Sequence, residues 1–571
     1  MAELRRELGL SEALAQALVR RGLGEPERAR AFLDASEEHD PAAFEGISAA
    51  VASITRHIEE HRRITVHGDY DVDGVCSTAV LVTALRRLGA DVDWYLPDRA
   101  GDGYGLGGAT IERLAARGTS LLVSVDCGVG AVEEVEAALA LGLEVVITDH
   151  HSPRADGRLP RAPVVHPVVC GYPCPELCAT AVAYKLAQAL YDARGRDPAE
   201  LEAQLDLVAL ATIADVVPLL GENRTLAVRG LRRLESTTRP GLRALMEVAR
   251  VAPGRAGERA VAFALAPRLN AAGRLYRADA ALELLLTEDP VRAQQVAREL
   301  DSANRERQEV ERAIRQQAEA QMRELGEREA YVLAAEGWHP GVIGIVASRL
   351  VERSGRPVVM VALEGEHGRA SGRSIDAFDL LGGLRACSGH LRRFGGHRVA
   401  AGMEIARDQL PAFSSALCAH AREVLRADDL YAVERIDAVV RVEELDMGLA
   451  EELESLAPFG RGNPRVRLLV EGASFSDSRP MGQGRHVRFG VRSGARSARA
   501  VAFGCDGRLP VADGEPVQAT FTLEVNEWNG VSEPRLVLRR ARAAEQPAAL
   551  SPPRRRRGMR EGQQELALFP V

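Results

Sequence analysis

The sequence predicts a multidomain α/β protein: a parallel-sheet domain joined by a long helix to a second α/β domain, followed by a small β-barrel. Three observations carry this expectation. Between residues 64 and 148, short β-branched runs alternate with helical runs, the pattern of a parallel sheet covered by helices. Over about 292–325 a highly charged helical stretch has too few apolar positions for a full core face, as a helix bridging two domains would. Residues 434–545 read as strands apart from one helix at 448–456, which suits a small barrel.

Composition narrows the function classes. A chain of 571 residues can bury several cores, and 46% hydrophobic with 27% charged residues is ordinary for a globular protein. No stretch is apolar enough to span a bilayer, and the N-terminus lacks a signal-peptide layout. A cytoplasmic protein without membrane association is expected. The eight cysteines are scattered, as reduced thiols are, and the spacing of Cys170, Cys174 and Cys178 matches no zinc pattern. A net charge of −8 argues against a chain coated in positive charge, although a local basic groove is enough to bind nucleic acid. Lys185 is the only lysine, so a GxxxxGK[ST] phosphate loop is absent. There is no G-x-S-x-G elbow either.

Taken in order, residues 1–60 read as short amphipathic helices broken at Asp40-Pro41, with no chemistry attached. The parallel-sheet domain is expected over 61–290, with strands Ile64–His67, Asp91–Leu96, Leu121–Asp126 and Glu144–Thr148 and helices at 75–88, 109–117 and 131–141. The connecting helix spans 291–326, the second α/β domain 327–430, the barrel 431–545 and a tail 546–571.

The polar residues gather where the strands end. His67, Asp69, Asp71 and Asp73 crowd into seven residues after the first strand, and such groups repel one another unless a cation neutralises them. Helix N-capping accounts for one of these Asp residues, not three with a histidine. Asp126 follows the third strand, Thr148-Asp149-His150-His151 the fourth, and Asp215 ends the apolar helix Leu205–Ala214. A metal site is the reading. Gly103-Tyr-Gly105-Leu-Gly107-Gly108 imitates a dinucleotide fingerprint, but its first glycine comes six residues past the strand rather than in the tight turn.

In the second domain, Gly337–Gly344, Ala370–Ser374 and Phe394–Gly402 place glycines beside Ser, Arg and His. Backbone N–H groups and arginine forks of this kind grip phosphate. The barrel is locally basic through Arg461, Arg465, Arg467, Arg485, Arg488, Arg492, Arg496 and Arg499, with Phe459, Phe489 and Trp528 available for stacking.

The stretches HGDYDVDG, SVDCG, TDHH and the Asp of ATIADVVPL resemble the DHH phosphoesterase superfamily. With GWHPGVIGIVASRL, SGRS and FGGHRVAAG added, the chain from about 60 to 545 is similar to that superfamily's bacterial single-strand-specific 5′→3′ exonucleases. The resemblance implies a DHH catalytic domain, a DHH-associated domain and an OB-fold. One cation is then expected on His67, Asp71 and Asp126, and another on Asp73, Asp126, His150 and Asp215, with Asp69, Asp149 and His151 supporting catalysis. Mixed carboxylate and imidazole ligands favour Mn²⁺, with Mg²⁺ the competitor. Two ions about 4 Å apart serve in-line displacement at phosphorus without a covalent nucleophile. By the same resemblance Arg99, Arg274, Ser371 and Arg373 grip a 5′-phosphate, and Tyr104, Asn270, Gly396 and His397 line the path. Ala179-Thr180-Ala181-Val182 stands where that family has more glycine. The expected partners are single-stranded DNA, a helicase and a single-strand-binding protein, acting in repair and recombination, with the enzyme a monomer.

Pro552-Pro553 and Arg554–Arg557 break the globular pattern, so the tail is expected to be disordered. Its end, Gln563, Leu566, Leu568 and Phe569, has the form Q-x-x-L-x-L-F and resembles the peptide by which repair proteins dock on the sliding clamp. Two alternatives remain: a phosphodiesterase for short oligonucleotides, which would not need the basic barrel, and a silent binding scaffold, which would have lost ligand positions.

Overall fold

The computed structural model describes residues 1–98, 102–103, 105–430, 434–528 and 530–544. Its first sheet comprises β1 (Ile64–His67), β2 (Val92–Tyr95), β3 (Leu121–Val125), β4 (Glu144–Thr148) and β5 (Val164–Val165). All neighbours run parallel, in the order β2-β1-β3-β4-β5. β1 and β3 are buried along their whole length, as strands of a sheet covered on both faces are. Leu122, Val145 and Ile147 face the helices Gly108–Ala116 and Val132–Ala140. Leu121, Val123 and Val146 face the larger core with helices Val72–Arg87, Ala179–Ala193 and Leu205–Ala214. The chain leaves β1 for β2 on one side and reaches β3 on the other. This reversal opens a crevice at the carboxyl ends of β1 and β3, where open α/β sheets bind ligands.

The connecting helix, Pro290–Leu325, starts with the Asp289 carboxylate accepting from Val291 N at 2.8 Å and ends at Gly326 with φ +70°. Val296 and Leu300 in its first half enter the catalytic core, and Ile314 and Ala318 in its second half enter the core of the next domain. Between them Arg307 is buried against Glu311 at 2.7 Å. Serving two cores in turn explains its sparse apolar pattern.

In the second domain β6 (Tyr331–Glu336), β7 (Val358–Glu364), β8 (His367–Arg373), β9 (Leu391–Gly396) and β10 (Ala400–Ala406) are ordered β6-β7-β8-β10-β9. Only β6 and β7 are parallel. Helix Pro340–Ser354 covers one face, its Gly344 packed on Ser371 and Arg373 of β8.

The last module contains β11 (Ala438–Val440), β12 (Leu468–Met481), β13 (His486–Ser493), β14 (Arg496–Ala502), β15 (Pro516–Trp528) and β16 (Val531–Ala543). Pairing runs β12-β13-β14-β16-β15 and returns from β15 to β12, closing a five-stranded barrel of OB type, with β11 added beside β12. In β16 arginines at 535, 539, 540 and 542 interrupt the apolar alternation. Phe489 corrects an expectation: it is buried against Phe475 in the barrel core, so it is no stacking surface.

The first helices do not pack on the sheet that follows them. Leu14, Leu18 and Phe32 join the barrel core, and Ser11 N donates to Glu452 Oε1 at 2.7 Å. Helix Ile47–Glu59, by contrast, packs on the catalytic core through Ile54 and Ile58. The buried Arg224 clasps all three parts: from the catalytic helix Gly221–Glu235 it donates to Phe32 O at 2.7 Å and to Leu456 O at 2.8 Å. Among the described residues no helix is long and apolar enough to cross a membrane.

Candidate metal centre

The crevice is furnished by four chain segments. β1 delivers His67 and the loop Gly68–Asp71. A Cβ on Gly74 would stand 2.5 Å from Asp69 N, so only glycine lets this loop fold back on the helix Val72–Arg87. Asp71 caps that helix, accepting from Asp73 N at 3.0 Å and Gly74 N at 3.2 Å. Asp73 reaches across to the helix Ala179–Ala193 and accepts from Ala179 N and Thr180 N, both at 2.8 Å, and from Thr180 Oγ1 at 2.6 Å. The Ala179-Thr180 departure therefore supplies the clamp that orients Asp73. Beyond β3, Asp126 turns into the left-handed region at φ +63°, which Asp tolerates better than most residues. β4 runs into Asp149, His150 and His151, and Asp215 is the C-cap of Leu205–Ala214.

Three groups of donor atoms lie within 4.8 Å of one another: Asp73, His150 and Asp215; Asp126, His150 and His151; and Asp69, Asp71 and Asp126. Asp126 and His150 link them. His150 Nε2 stands 3.2 Å from Asp126 Oδ1, 3.7 Å from Asp73 Oδ2 and 3.8 Å from Asp215 Oδ2. The four residues expected around one ion thus share one neighbourhood. Of the other set, Asp71 and Asp126 meet, with Asp69 rather than His67 as third member. His67 lies at the strand end, fully buried, its Nδ1 3.7 Å from Cys127 Sγ and its Nε2 without a hydrogen-bond partner among the described residues.

Electrostatics set these groups apart from structural polar residues. Burial, reinforced by Asp73, Asp71, Asp69 and Asp149, pushes Asp126 well above the usual carboxylate range. Burial and the charges of Asp73 and Asp71 raise Asp215 to about 8. Burial lowers His67 to about 4 and also lowers His150, leaving neutral imidazoles. Burial works against ionising Asp149 and His151, yet their mutual hydrogen bond of 2.8 Å wins, holding Asp149 at about 2 and lifting His151 to about 9. Carboxylates forced together in a buried crevice beside neutral imidazoles, one with an unused buried nitrogen, fit a divalent cation.

One helix carries the site to the second domain. A Cβ on Gly273 of helix Ala266–Leu275 would lie 2.4 Å from Tyr70 O, and Asn270 Oδ1 accepts from Val72 N at 3.1 Å. At its other end Arg274 Nη1 donates to Gly341 O at 3.1 Å. Gly341 opens the helix Pro340–Ser354, whose N-cap His339 accepts from Gly341 N at 3.1 Å. Beneath that helix Arg373 Nη1 donates to Ser371 Oγ at 3.0 Å. Gly396 (φ +140°) and the exposed His397 form the turn after β9. Arg99 and Tyr104 lie outside the described residues, as do Gln563, Leu566, Leu568 and Phe569.

The barrel's outward face carries Arg488 and Arg492, which alternate with the buried Val487, Phe489 and Val491. Arg465 is committed to Glu454 and Glu258, Arg467 to Glu434 and Arg499 to Glu533. Arg461, Arg485, Arg488, Arg492 and Arg496 are exposed and form no ion pair among the described residues. Local sequence does not reveal that Thr180 bonds Asp73, that His339 caps the helix against Arg274, or that the Arg461 turn is seated on Leu219, four residues past Asp215. The motif around His339 was visible, but its neighbours in space were not.

Comparison with known proteins agrees with this architecture. Residues 63–212 match the DHH family N-terminal domain, 328–423 the DHHA1 domain and 436–540 the RecJ OB domain. The chain is 39% identical over 552 residues to the single-stranded-DNA-specific exonuclease RecJ of Bacillus subtilis, covering 95% of this chain and 69% of that protein. Crystal structures of RecJ from Thermus thermophilus superpose along the chain. The Mn²⁺ complex gives a TM-score of 0.84 at 33% identity, covering 96% of this chain and 79% of that one. The Mg²⁺ complex gives 0.78 at 31% identity, covering 96% and 78%.

Proposed function

Because the chain belongs to the RecJ family of single-stranded-DNA-specific exonucleases, we propose that it removes mononucleotides from the 5′ end of single-stranded DNA by metal-assisted phosphodiester hydrolysis. The observation that carries the reading is the continuous line from the acid–imidazole crevice, through helix Ala266–Leu275, to Ser371 and Arg373. His67, Asp71 and Asp126 would hold one divalent cation; Asp73, Asp126, His150 and Asp215 would hold a second. Bound there, such ions activate water and neutralise charge at phosphorus. Asp149 fixes the ring of His151 beside Asp126. Thr180 and the helix N-terminus behind it fix Asp73.

Arg274, Ser371 and Arg373, with Arg99, grip the terminal phosphate, and Tyr104, Asn270, Gly396 and His397 line the way to the metals. A fixed spacing between that grip and the metals sets release at one nucleotide per cleavage. The exposed barrel arginines hold the strand further along by its phosphates. Such an activity belongs to DNA repair and recombination, beside a helicase and a single-strand-binding protein. The tail residues Gln563, Leu566, Leu568 and Phe569 would tether the enzyme to a sliding clamp. A tail peptide that leaves clamp fluorescence unchanged at high micromolar concentration would remove that tether.

The deciding assay digests 5′-labelled and 3′-labelled single strands with Mn²⁺, beside duplex. Mononucleotides are expected from the 5′ end of the single strand only, lost on chelation and regained with Mn²⁺. A 5′-phosphate should speed the reaction over a 5′-hydroxyl roughly ten- to hundredfold, the worth of charge-assisted bonds, and Arg373→Ala should erase that advantage. Cleavage confined to very short oligomers would instead indicate a small-substrate phosphodiesterase. Metal-dependent binding without cleavage would indicate a scaffold.

A further inference from the structure

We propose that Arg461, at the tip of a barrel turn seated beside the metal centre, holds the strand phosphate immediately 3′ of the scissile one. Docking of the barrel is thereby part of the cleavage site itself. The inference rests on the exonuclease reading above and adds a residue and a subsite to it.

The turn is rigid. Gly460 N donates to Asn463 O at 2.9 Å and Asn463 N returns to Gly460 O at 3.2 Å, leaving Arg461 and Gly462 at the tip. Asn463 is fully buried, its Nδ2 donating to Leu456 O at 2.7 Å and Pro458 O at 2.9 Å, while its Oδ1 accepts from Arg21. The turn is also docked. Leu219 N, four residues past Asp215, donates to Arg461 O at 2.8 Å. A Cβ on Gly460 would come within 2.8 Å of Leu219, and one on Gly462, at φ +75°, within 3.1 Å of Leu220 and 3.2 Å of Pro218. Gly462 needs its glycine for the left-handed backbone, and at 460 a Cβ would have to push the Leu219 side chain aside.

The guanidinium is available. Neighbouring arginines are spent on structure: Arg21 on Asp437 and Asn463, Arg224 on backbone carbonyls, Arg465 on Glu454. The Arg461 side chain is exposed and has no ion pair or hydrogen bond among the described residues. It is carried on the turn that Leu219 N holds, and Leu219 lies four residues past Asp215. An unspent arginine fork on a fixed turn at the rim of a metal centre is a phosphate ligand in waiting.

The order of elements says which phosphate. Arg274, Ser371 and Arg373 stand beyond the Asp69–Asp71 loop, across helix Ala266–Leu275. Arg461 stands at the Asp215 end, on the side of the barrel. A strand with its 5′-phosphate in the first place and its scissile phosphate over the metals next meets Arg461, one linkage further 3′.

The test measures the first cleavage of a 5′-phosphorylated oligomer under single-turnover conditions, with or without one neutral methylphosphonate at that linkage. The neutral linkage should slow the wild type about tenfold, the loss of one charged contact. Arg461→Ala should be slowed equally on the natural strand and show no further loss on the neutral one. Arg461→Lys should recover part of the rate. Gly462→Ala keeps the arginine but tilts its seat, and should behave like Arg461→Ala. The proposal is overturned if Arg461→Ala or Gly462→Ala cleaves at the wild-type rate, or if the neutral linkage costs Arg461→Ala as much as it costs the wild type. A wild-type enzyme that does not cleave single strands from the 5′ end would overturn the exonuclease reading instead, whatever Arg461 does.

Discussion

Asp126→Asn is expected to lower the hydrolysis of single-stranded DNA by roughly 10³-fold or more, since metal-borne stabilisation of the transition state is worth several kcal/mol. Asp126 belongs to two of the three donor groups and lies 3.2 Å from His150, which belongs to the third. Losing its charge should therefore weaken both proposed ion sites at once. The fold should survive. Asn tolerates the left-handed backbone that Asp126 adopts at φ +63°, and a neutral side chain relieves the crowding of Asp73, Asp71, Asp69 and Asp149 that pushes this carboxyl upward. Rates with saturating Mn²⁺, bound metal per chain and the unfolding temperature of the metal-free protein would be measured together. Activity within tenfold of the wild type would sink the assignment. Lost activity with full metal occupancy would move Asp126 from ligand to another role.

Lys185→Met should destabilise the catalytic domain by about 3–5 kcal/mol, lowering its unfolding temperature by roughly 6–20 °C. The only lysine of the chain lies within helix Ala179–Ala193, fully buried, 2.6 Å from the equally buried Glu222 and 2.7 Å from His39 O. Removing the cation strands the Glu222 charge in a dry interior. Lys185→Met with Glu222→Leu removes both charges and should recover most of the loss, because a buried ion pair is often replaceable by apolar groups. Calorimetry of the wild type, the single and the double variant decides. An unchanged transition in the single variant would mean that water reaches Glu222. A double variant no better than the single would mean that the link to His39, rather than the charge, holds the segment.

Much of the site was legible because its chemistry is local. Short strands of four or five residues, apolar at most inner positions, end at His67 or just before Asp126 and Asp149, and the sheet edge follows from their alternation with helices. The loop His67–Asp73 states its own improbability: several acids in one turn need a cation. Lys185 shows where local pattern stops. A lysine within an apolar helical run reads as a poor catalyst, and only the partner on a distant helix reveals a buried ion pair. Phe489 was misread despite a local signal, because it shares the period-two face of Val487 and Val491 and so had to point inward.

Element order, the parallel sheet, the connecting helix, the barrel and the residues that crowd the strand ends are all written in the chain. Each of these follows from periodicity, turn chemistry or charge density within some twenty residues. Long-range packing was needed to place the first helices in the barrel core, with Ser11 bonded to Glu452. The same packing makes Thr180 the clamp of Asp73, joins the Gly68–Asp71 loop to the second domain through Ala266–Leu275, and seats the Arg461 turn on Leu219. The physical reason is one of range. Hydrogen bonding and side-chain periodicity fix which face of an element is apolar, but not which other apolar face will cover it. That choice is made by shape and by a few buried polar bonds between segments hundreds of residues apart, and it leaves no mark on the local pattern of either.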